Sequence, residues 1–203
     1  VRSRGLGDVY KRQGMLFSIV SAFLFCKKQG IITAWGWVLL GSLYIGWFLS
    51  LLVLLRLSPG MPGYPELGRN LVFLALFATF GNDTFAYIVG KIAGRHKMSP
   101  GVSPNKTWEG AAGGIFGTII VVMLFTLDTI FAVPLSLWQA PILGVFISVF
   151  AQFGDFAESA LKRYAGVKDS GTMMPGHGGM LDRIDSILLS AGVVYYFYLI
   201  GIA

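Results

Sequence analysis

"AWGWVLLGSLYIGWFLSLLVLL", residues Ala34–Leu55, contains no charged side chain. A helix needs about 20 apolar residues to cross the roughly 30 Å hydrocarbon core of a bilayer, so this stretch is long enough to span a membrane. The rest of the chain agrees, because 55% of its 203 residues are hydrophobic and 13% are charged. Soluble domains carry about 25% charged residues. The sequence therefore predicts an integral membrane protein, an all-α polytopic helical bundle.

Other apolar segments approach the same length. The predicted spans are Ala34–Leu55, Asn70–Val89, Gly110–Val133, Leu137–Phe153 and Ile187–Ala203. The shorter piece Met15–Cys26 is interpreted as the end of a truncated further span. The linker Ser58–Gly68 is rich in proline and glycine and is predicted to be an irregular turn outside the bilayer. Cys26 is the single cysteine of the chain, which excludes an internal disulfide framework.

Residues 1–13 differ in character from the rest of the chain. They are polar and basic and lack the apolar core of a signal peptide, so we interpret them as a non-native segment on a fragment. A genuine basic tail is the alternative. On the first interpretation, further spans are expected upstream in the complete protein.

Lysine and arginine are distributed unevenly among the predicted loops. If the spans alternate in direction, Arg56 and Arg69 lie on one side and most other loop cations on the opposite side. Those others are Lys27, Lys28, Lys91, Arg95, Lys97, Lys106, Lys162, Arg163, Lys168 and Arg183. Cytoplasmic loops carry an excess of lysine and arginine. The richer side is therefore predicted to be cytoplasmic, and the charged loops Lys91–Glu109 and Asp155–Ser186 should meet there.

Asp83 lies near the middle of the predicted span Asn70–Val89. A carboxylate at the bilayer centre costs about 2.5–3.5 kcal/mol on insertion scales, and it usually faces a polar cavity. We therefore expect Asp83 to have a functional role. The alternative is that the helix breaks at Gly81, where the backbone is freest, and that Asp83 caps a following segment.

The segment Lys91–Gly110 contains two Ser-Pro pairs. Prolines exclude a continuous helix and predict a re-entrant or surface loop with exposed amides. Lys106 beside Thr107 is a candidate phosphate contact, with a simple juxtamembrane anchor as the alternative. His96, next to two cations, is expected to be solvated rather than to bind a ligand.

A second polar stretch begins after the predicted span Leu137–Phe153. Asp155, Glu158, Ser159 and Lys162 are spaced by three or four residues, so a helix would bring them to one face. Glu158 and Lys162 alone are expected to form an ordinary ion pair.

Asp182 and Asp185 follow the glycine-rich turn Gly176–Gly179 and are also on one helical face. A glycine segment that opens into a helix presents free amides, which suit phosphate, and neighbouring carboxylates suit Mg²⁺. Carboxylates for a metal, cations for negative charge and glycine turns for close approach are typical of phosphoryl or nucleotidyl transfer. The residues thus indicate a membrane enzyme that acts on a phosphorylated lipid, a nucleotide, or both.

The stretch "SALKRYAGVKDSGTMMPGHGGMLDRID", residues Ser159–Asp185, closely resembles the signature of phosphatidate cytidylyltransferases, also called CDP-diacylglycerol synthases. The shared elements are Ser-x-x-Lys-Arg, Lys-Asp, His-Gly-Gly and Asp-Arg-x-Asp at fixed spacing. The upstream "NDTFAYIVGKIAGRHK" and "SPNKTWEG" are similar to other blocks of that family. The resemblance runs from about Leu71 to the C-terminus, and the earlier N-terminal helices of the family are expected to be missing from this fragment.

The resemblance implies transfer of CMP from CTP to phosphatidate, giving CDP-diacylglycerol and pyrophosphate, with Mg²⁺ required and K⁺ as a further candidate cation. By similarity, Asp155 and Asp182 are the chief metal ligands, with Asp185 and Asp83 as secondary carboxylates. The implied catalytic residues are Asp155, Asp182, Asp185, Lys162 and Arg183. The implied substrate contacts are Ser103, Lys106, Thr107, Ser159, Arg163, Lys168, Asp169, His177, Gly178 and Gly179.

The implied partners are CTP, phosphatidate and the bilayer, with no nucleic acid, and a homodimer is left open. The implied location is a bacterial inner membrane, with the active site on the cytoplasmic face. The predicted organisation is a non-native segment 1–13, truncated transmembrane helices 14–69 and a catalytic transmembrane domain 70–203.

Two alternatives remain open from the sequence. The first is a sister enzyme that uses CTP on another lipid phosphate, such as the archaeal ether lipid. The second is a cation transporter, which would explain an intramembrane Asp83 in a broken span but not the cations beside the aspartates. A CDP-alcohol phosphotransferase is disfavoured because the Asp-Gly-x-x-Ala-Arg motif of that class is absent from the sequence.

Overall fold

The computed structural model describes residues 31–127, 131–167, 170–171, 179 and 181–201, without the side chains of residues 31–34 and 183. The helices in this part of the chain are α1 Ile31–Arg56, α2 Leu67–Ala93, α3 Trp108–Leu124, α4 Gln139–Tyr164 and α5 Leu181–Gly201. The chain divides into two compact units, residues 1–48 and 49–203. The second unit holds α2–α5 and the candidate site. The predicted segments 1–13 and Met15–Cys26 lie outside the described residues and stay predictions.

Four of these helices are long and apolar enough to cross a membrane. They are α1, α2, α4 and α5, counted from Trp35 in α1 and from Ile184 in α5. The predicted class, a polytopic helical membrane protein, is confirmed. The linker between α1 and α2 is irregular as predicted, with a single bridge that joins Met61 to Tyr64.

The predicted span Gly110–Val133 is wrong in its extent, because α3 has 17 residues and ends at Leu124. A turn follows, in which the Thr126 hydroxyl donates to the Met123 carbonyl. The chain then folds back, so that the Val133 amide donates to the Phe125 carbonyl. Apolar residues continue through this return segment, since Ala132, Val133 and Leu135 are buried. Composition alone therefore did not reveal the end of the helix.

The alternative break at Gly81 is also wrong, because α2 runs without interruption through Gly81 and Asp83. Gly81 instead allows α3 to approach, since a Cβ atom there would lie 2.7 Å from a Val121 methyl group. On the facing helix, a Cβ at Gly117 would overlap the ring of Phe85. The continuous helix removes the broken span on which the transporter alternative rested.

The prolines after α2 do exclude a helix, and the segment predicted to be a re-entrant or surface loop contains a short antiparallel hairpin. Its strands are β1 Lys97–Ser99 and β2 Ser103–Thr107, in which Lys97 pairs with Thr107 and Ser99 with Ser103. Pro104 is tolerated because a two-stranded sheet has only edge strands. Thr107 ends the hairpin and caps α3, since its hydroxyl accepts a hydrogen bond from the Gly110 amide.

Helix α4 is longer than the predicted span Leu137–Phe153, because it continues to Tyr164. The extension carries Asp155, Glu158 and Lys162 as helical residues. The expected helical spacing of these side chains is confirmed, while the predicted loop Asp155–Ser186 begins only after α4. The extension brings the polar end of α4 beside the hairpin and the first turn of α5.

The opposite end of the helices is apolar. Its core contains Leu55, Leu67, Leu71 and Leu74, all at most 1% exposed. An aromatic cluster of Phe73, Phe77, Phe125 and Phe131 joins α2 to the return segment after α3, with ring centroids 5.0–6.4 Å apart.

Candidate active site

Two cavities open at the charged end of α2–α5. The larger, about 600 Å³, lies between α2, the hairpin, α3 and α4. Its polar lining includes Asn82, Asp83, Tyr87, Lys91, Lys97, Ser103, Asn105, Lys106, Thr107, Gln152 and Asp155. The smaller, about 200 Å³, is lined by Thr79, Phe80, Asp83, Asp182, Asp185, Ser186 and Ile187. Asp83 contributes to both cavities, so the mid-helix carboxylate lies where they meet.

An ion pair joins the two charged segments across the larger cavity. Lys106 Nζ in β2 lies 2.8 Å from Asp155 Oδ2 in α4 and 5.8 Å from the centroid of the Phe156 ring. The ammonium nitrogen is buried and makes no hydrogen bond of good geometry within the described part of the chain. The expectation that the segments around Lys106 and Asp155 meet is confirmed by this contact.

Asp182 connects three pieces of the chain through one carboxylate. Its Oδ1 accepts from Lys162 Nζ at 2.6 Å, and its Oδ2 accepts from the Ser170 amide, the Ser170 hydroxyl and the Gly179 amide at 2.7–2.9 Å. Partial burial raises the pKa of Asp182, but the hydrogen bonds from Lys162, Ser170 and Gly179 outweigh it and hold that pKa well below its usual range. Asp182 therefore stays ionised and ties the first turn of α5 to the end of α4.

Lys162 is shared between two carboxylates. It lies 2.7 Å from Glu158 Oε2, as the predicted ion pair requires, and 2.6 Å from Asp182 Oδ1. Glu158 is 7% exposed, and its second oxygen, Oε1, is buried without a hydrogen-bond partner in the described residues. Among the described residues, the charged end thus contains a buried carboxylate oxygen without a hydrogen-bond partner.

A buried amide network orients Asp83. The Asn82 amide nitrogen donates to Asp83 Oδ1 at 2.9 Å. The side-chain oxygen of Asn82, Oδ1, accepts from the Ser148 hydroxyl at 2.6 Å and from Gln152 Nε2 at 3.1 Å, both in α4. Gln152 Nε2 also lies 3.1 Å from the Ala111 carbonyl oxygen of α3. Asn82 is 1% exposed, and its side chain is held by two residues of α4, one of which is itself bonded to α3.

Asp185 is the most enclosed of the four predicted metal-binding carboxylates, at 7% exposed. Its Oδ1 accepts from the Ser186 amide at 2.7 Å. Asp155 lies within electrostatic range of both Asp185 and Asp83. In the described residues, however, no three His, Cys, Asp or Glu side chains converge closely enough to hold a metal ion. The cations in direct contact with these carboxylates are lysines, Lys106 at Asp155 and Lys162 at Asp182.

The remaining predicted residues differ in where they lie. Ser159 donates to Asp155 at 3.4 Å, and Ser103 and Thr107 line the larger cavity. Arg163, predicted to neutralise phosphate, donates its Nε to the Val102 carbonyl at 3.3 Å and so contacts the turn of the hairpin. Lys168, Asp169, His177, Gly178 and the side chain of Arg183 lie outside the described residues.

Several site residues were not predicted from the sequence. Ser170 contacts Asp182, and Glu109 contacts the entry to the hairpin. Ser148 and Gln152 reach Asn82 across 66 and 70 residues of sequence. A polar side chain inside an apolar span was a usable signal for Ser148 and Gln152, as it was for Asp83. No local pattern pointed to Ser170 or to the role of Glu109.

The comparisons with known proteins agree with the chemistry of this site. A profile described as "Cytidylyltransferase family" matches residues 6–200. The chain is 38% identical over 161 residues to the phosphatidate cytidylyltransferase of Bacillus subtilis, covering 79% of this chain and 57% of that protein. For the enzymes of the same name from Staphylococcus haemolyticus and Brucella abortus, the identities are 45% over 123 residues and 36% over 171 residues.

The matched regions cover 60% of this chain and 46% of the Staphylococcus haemolyticus protein, and 82% of this chain and 60% of the Brucella abortus protein. The chain therefore spans about half the length of the curated relatives that it matches. The family match, in contrast, extends over nearly all of this chain. The chain belongs to the cytidylyltransferase family.

Proposed function

We propose that the protein transfers CMP from CTP to phosphatidate, releasing pyrophosphate and forming CDP-diacylglycerol. The observation that carries the proposal is the Lys106–Asp155 contact of 2.8 Å at the larger cavity. It brings a cation suited to phosphate into the same cavity as carboxylates suited to a metal. The printed names of the relatives, phosphatidate cytidylyltransferase, supply the substrate class.

The cations of the larger cavity suit a triphosphate. Lys91, Lys97 and Lys106 line the same cavity as Asp83 and Asp155. Its volume, about 600 Å³, is within the range of pockets that hold small molecules, roughly 300–1,000 Å³. Lysines near a transferring phosphoryl group stabilise the charge that develops on the leaving oxygens.

The carboxylates have the donor chemistry that Mg²⁺ prefers, which is oxygen throughout. Asp83, Asp155, Asp182 and Asp185 line the two cavities, and the Lys106 ammonium 2.8 Å from Asp155 supports a cation at that carboxylate. We propose that Mg²⁺ binds among these four residues, held by one or two of the carboxylates together with substrate phosphates. It would neutralise phosphate charge and orient the α-phosphate when bound. The K⁺ implied by the resemblance stays a prediction.

The reaction needs no dedicated base. A phosphate monoester loses its second proton with a pKa near 6, so a phosphatidate oxygen is already nucleophilic at neutral pH. That oxygen forms a bond to the α-phosphorus of CTP, while the bond from this phosphorus to the oxygen bridging to the β-phosphorus breaks. The electron pair leaves with pyrophosphate. The protein contributes alignment and charge stabilisation, in which Lys106 and Lys162 are the described cations in direct contact with carboxylates.

The protein is an integral membrane protein by its apolar helices. We further propose that both cavities face the cytoplasm of a bacterial cell. The support is the excess of lysine and arginine on the segments that line the cavities. CTP is a cytoplasmic metabolite, and phosphatidate reaches the same place through the bilayer.

The test is CTP turnover by the purified full-length protein in detergent with phosphatidate and Mg²⁺. We expect release of pyrophosphate and formation of a CDP-lipid in equal amounts, both abolished by EDTA and restored by added Mg²⁺. The variant Glu66→Gln is a matched control, because Glu66 precedes α2 at the opposite end and makes no capping bond there. Pyrophosphate release that does not depend on phosphatidate would contradict the proposal.

A further inference from the structure

The base of the hairpin is fastened to α3 by one side chain. The Glu109 carboxylate, in the first turn of α3, accepts from the backbone amides of Arg95 and His96 at 3.1 and 3.2 Å. It also lies 2.6 Å from His96 Nδ1. The Trp108 amide adds a bond to the His96 carbonyl at 3.0 Å. The chain leaving α2 is thus held where it turns into β1.

The hairpin that begins there forms one wall of the larger cavity. Lys97, Met98, Ser103, Asn105, Lys106 and Thr107 all line it. Glu109 does not belong to the lining, so it would act on a ligand only through the hairpin.

Close packing leaves the backbone at the base of the hairpin little room to move. At Gly94, between α2 and β1, a Cβ atom would lie 2.1 Å from the Gly90 carbonyl oxygen and 2.8 Å from the Thr107 hydroxyl. The backbone therefore passes directly against the residue that ends β2. A shift of the Arg95 and His96 amides is then transmitted to Thr107 and its neighbour Lys106.

We propose that Glu109 is a positioning residue, which holds the 95–107 hairpin so that Lys106 and its neighbours keep their places around the nucleotide. This rests on the proposed function, because the ligand of the larger cavity is taken to be CTP. Two further tethers limit the movement that loss of Glu109 allows: the Lys106–Asp155 ion pair and the bond from Arg163 to the Val102 carbonyl. The hairpin should loosen at its base rather than unfold.

We call the contacts of Glu109 with Arg95 and His96 the clasp. Its strength comes from the negative charge of the Glu109 carboxylate. Hydrogen bonds to an ionised acceptor are roughly twice as strong as neutral ones. The hydrogen bond with His96, followed by bonds to backbone amides, lowers the pKa of Glu109 to about 2. Its side chain is 27% exposed, so the clasp lies at the surface and its loss leaves the helix core intact.

The first measurement is steady-state kinetics of Glu109→Ala and Glu109→Gln. Asp155 and Asp182 lie on α4 and α5, outside the hairpin, so turnover at saturation should fall less than about threefold. The KM for CTP should rise about tenfold in Glu109→Ala, because the cation-bearing wall is displaced before CTP binds. Glutamine keeps one acceptor for the amides, so Glu109→Gln should give an intermediate KM. Glu66→Ala is the matched control and should leave both constants unchanged.

The second measurement reports on the hairpin without any substrate. A nitroxide is attached at Gly101→Cys in a Cys26→Ala background, since a Cβ atom at Gly101 meets no atom within 4 Å. Its electron paramagnetic resonance spectrum should show greater mobility in Glu109→Ala than in the parent or in Glu66→Ala. Greater mobility together with a raised KM supports the proposal.

Two outcomes overturn it. Unchanged mobility in Glu109→Ala means that Glu109 does not hold the hairpin, whatever the kinetics. Greater mobility with an unchanged KM means that the hairpin position does not matter for the nucleotide. If the parent protein does not turn over CTP at all, the proposed function fails, and the spectrum still decides whether Glu109 is the clasp.

Discussion

Two asparagines on the same helix illustrate how the two ends of the molecule differ. Asn70, near the start of α2, donates its amide to the Ala132 carbonyl at 2.8 Å and accepts from the Arg69 side chain. Asn82, farther along α2, donates to the carboxylate of Asp83 and accepts from Ser148 and Gln152. Both are at most 5% exposed. Asn70 satisfies a backbone group, whereas Asn82 orients a charged side chain that lines a cavity.

The surroundings of the two residues explain the difference. The Asn70 end is closed by leucines and by the Phe73, Phe77, Phe125 and Phe131 cluster. The Asn82 end has two cavities, and the buried Glu158 Oε1 there has no hydrogen-bond partner in the described residues. Such orphaned groups are costly in a finished core. One end is thus built for stability and the other for a polar ligand.

The largest effect is expected from Asp155→Asn. The substitution keeps the shape of the side chain but removes the negative charge that Lys106 contacts and that Mg²⁺ is proposed to bind. Turnover of CTP should fall at least about 100-fold, while the unfolding midpoint in detergent changes little, because Asp155 is only partly buried. Near-normal turnover at limiting Mg²⁺ would rule out a central role for Asp155. Glu66→Gln again serves as the control at the opposite end.

A double-mutant cycle tests whether Lys106 and Asp155 act together. Lys106→Ala alone should lower kcat/KM about 10- to 100-fold, and its effect in an Asp155→Asn background should be smaller. A coupling energy of roughly 0.5–3 kcal/mol is expected for residues in direct contact. Lys91→Ala is the matched control. Lys91 lines the same cavity, but its ammonium nitrogen lies over the Tyr87 ring, 5.7 Å from the centroid, and not in an ion pair with Asp155. If the Lys91 cycle couples as strongly, the contact itself is not the cause.

The two asparagines give a direct test of the comparison. Asn70→Ala leaves the Ala132 carbonyl without its partner and should cost about 1–3 kcal/mol of stability, measured as a lower unfolding midpoint, with kcat unchanged. Asn82→Ala releases the Asp83 carboxylate and should lower kcat about tenfold, per folded molecule. A loss of kcat in Asn70→Ala as large as that in Asn82→Ala would remove the distinction between the two ends.

The class of fold was predictable because it depends on composition. Long uncharged runs such as Ala34–Leu55 specify spanning helices whatever their packing. The end of α3 was not predictable, since apolar residues continue beyond Leu124 and the turn depends on the contact of Phe125 with Val133. The hairpin was not predicted, because the prolines indicate only that a helix is excluded and not which structure replaces it.

The candidate site was predictable in its charges but not in its pairings. Asp155, Asp182, Lys106 and Lys162 stand out against an apolar background. The sequence did not indicate that Lys162 would bridge Glu158 and Asp182, or that Arg163 would contact the hairpin turn. These partners come from different elements, and a single sequence carries no signal for such contacts.

The smallest effect is expected at Glu109, and it concerns pH. The pKa of this carboxyl is lowered from its ordinary value of 4.5 to about 2, with the His96 hydrogen bond as the largest cause. A lowered folded-state pKa stabilises the protein fully above the ordinary pKa, and the contribution is lost as the pH falls from about 4.5 toward 2. Glutamine cannot titrate, so Glu109→Gln should lack this contribution at every pH.

The unfolding midpoints of the parent and Glu109→Gln, measured in detergent, should therefore differ by a few degrees at pH 5 and converge as the pH falls toward 2. The gap stays small because the side chain is partly exposed and water screens its charge. Comparing the two proteins at each pH cancels the other carboxylates, and below pH 5 carboxylates rather than imidazoles change charge. A gap that widens on acidification would mean that protonated Glu109 holds the hairpin better. That result would contradict a stabilising role for the ionised carboxylate. Glu66→Gln is the control, because the Glu66 side chain makes no capping bond at the start of α2.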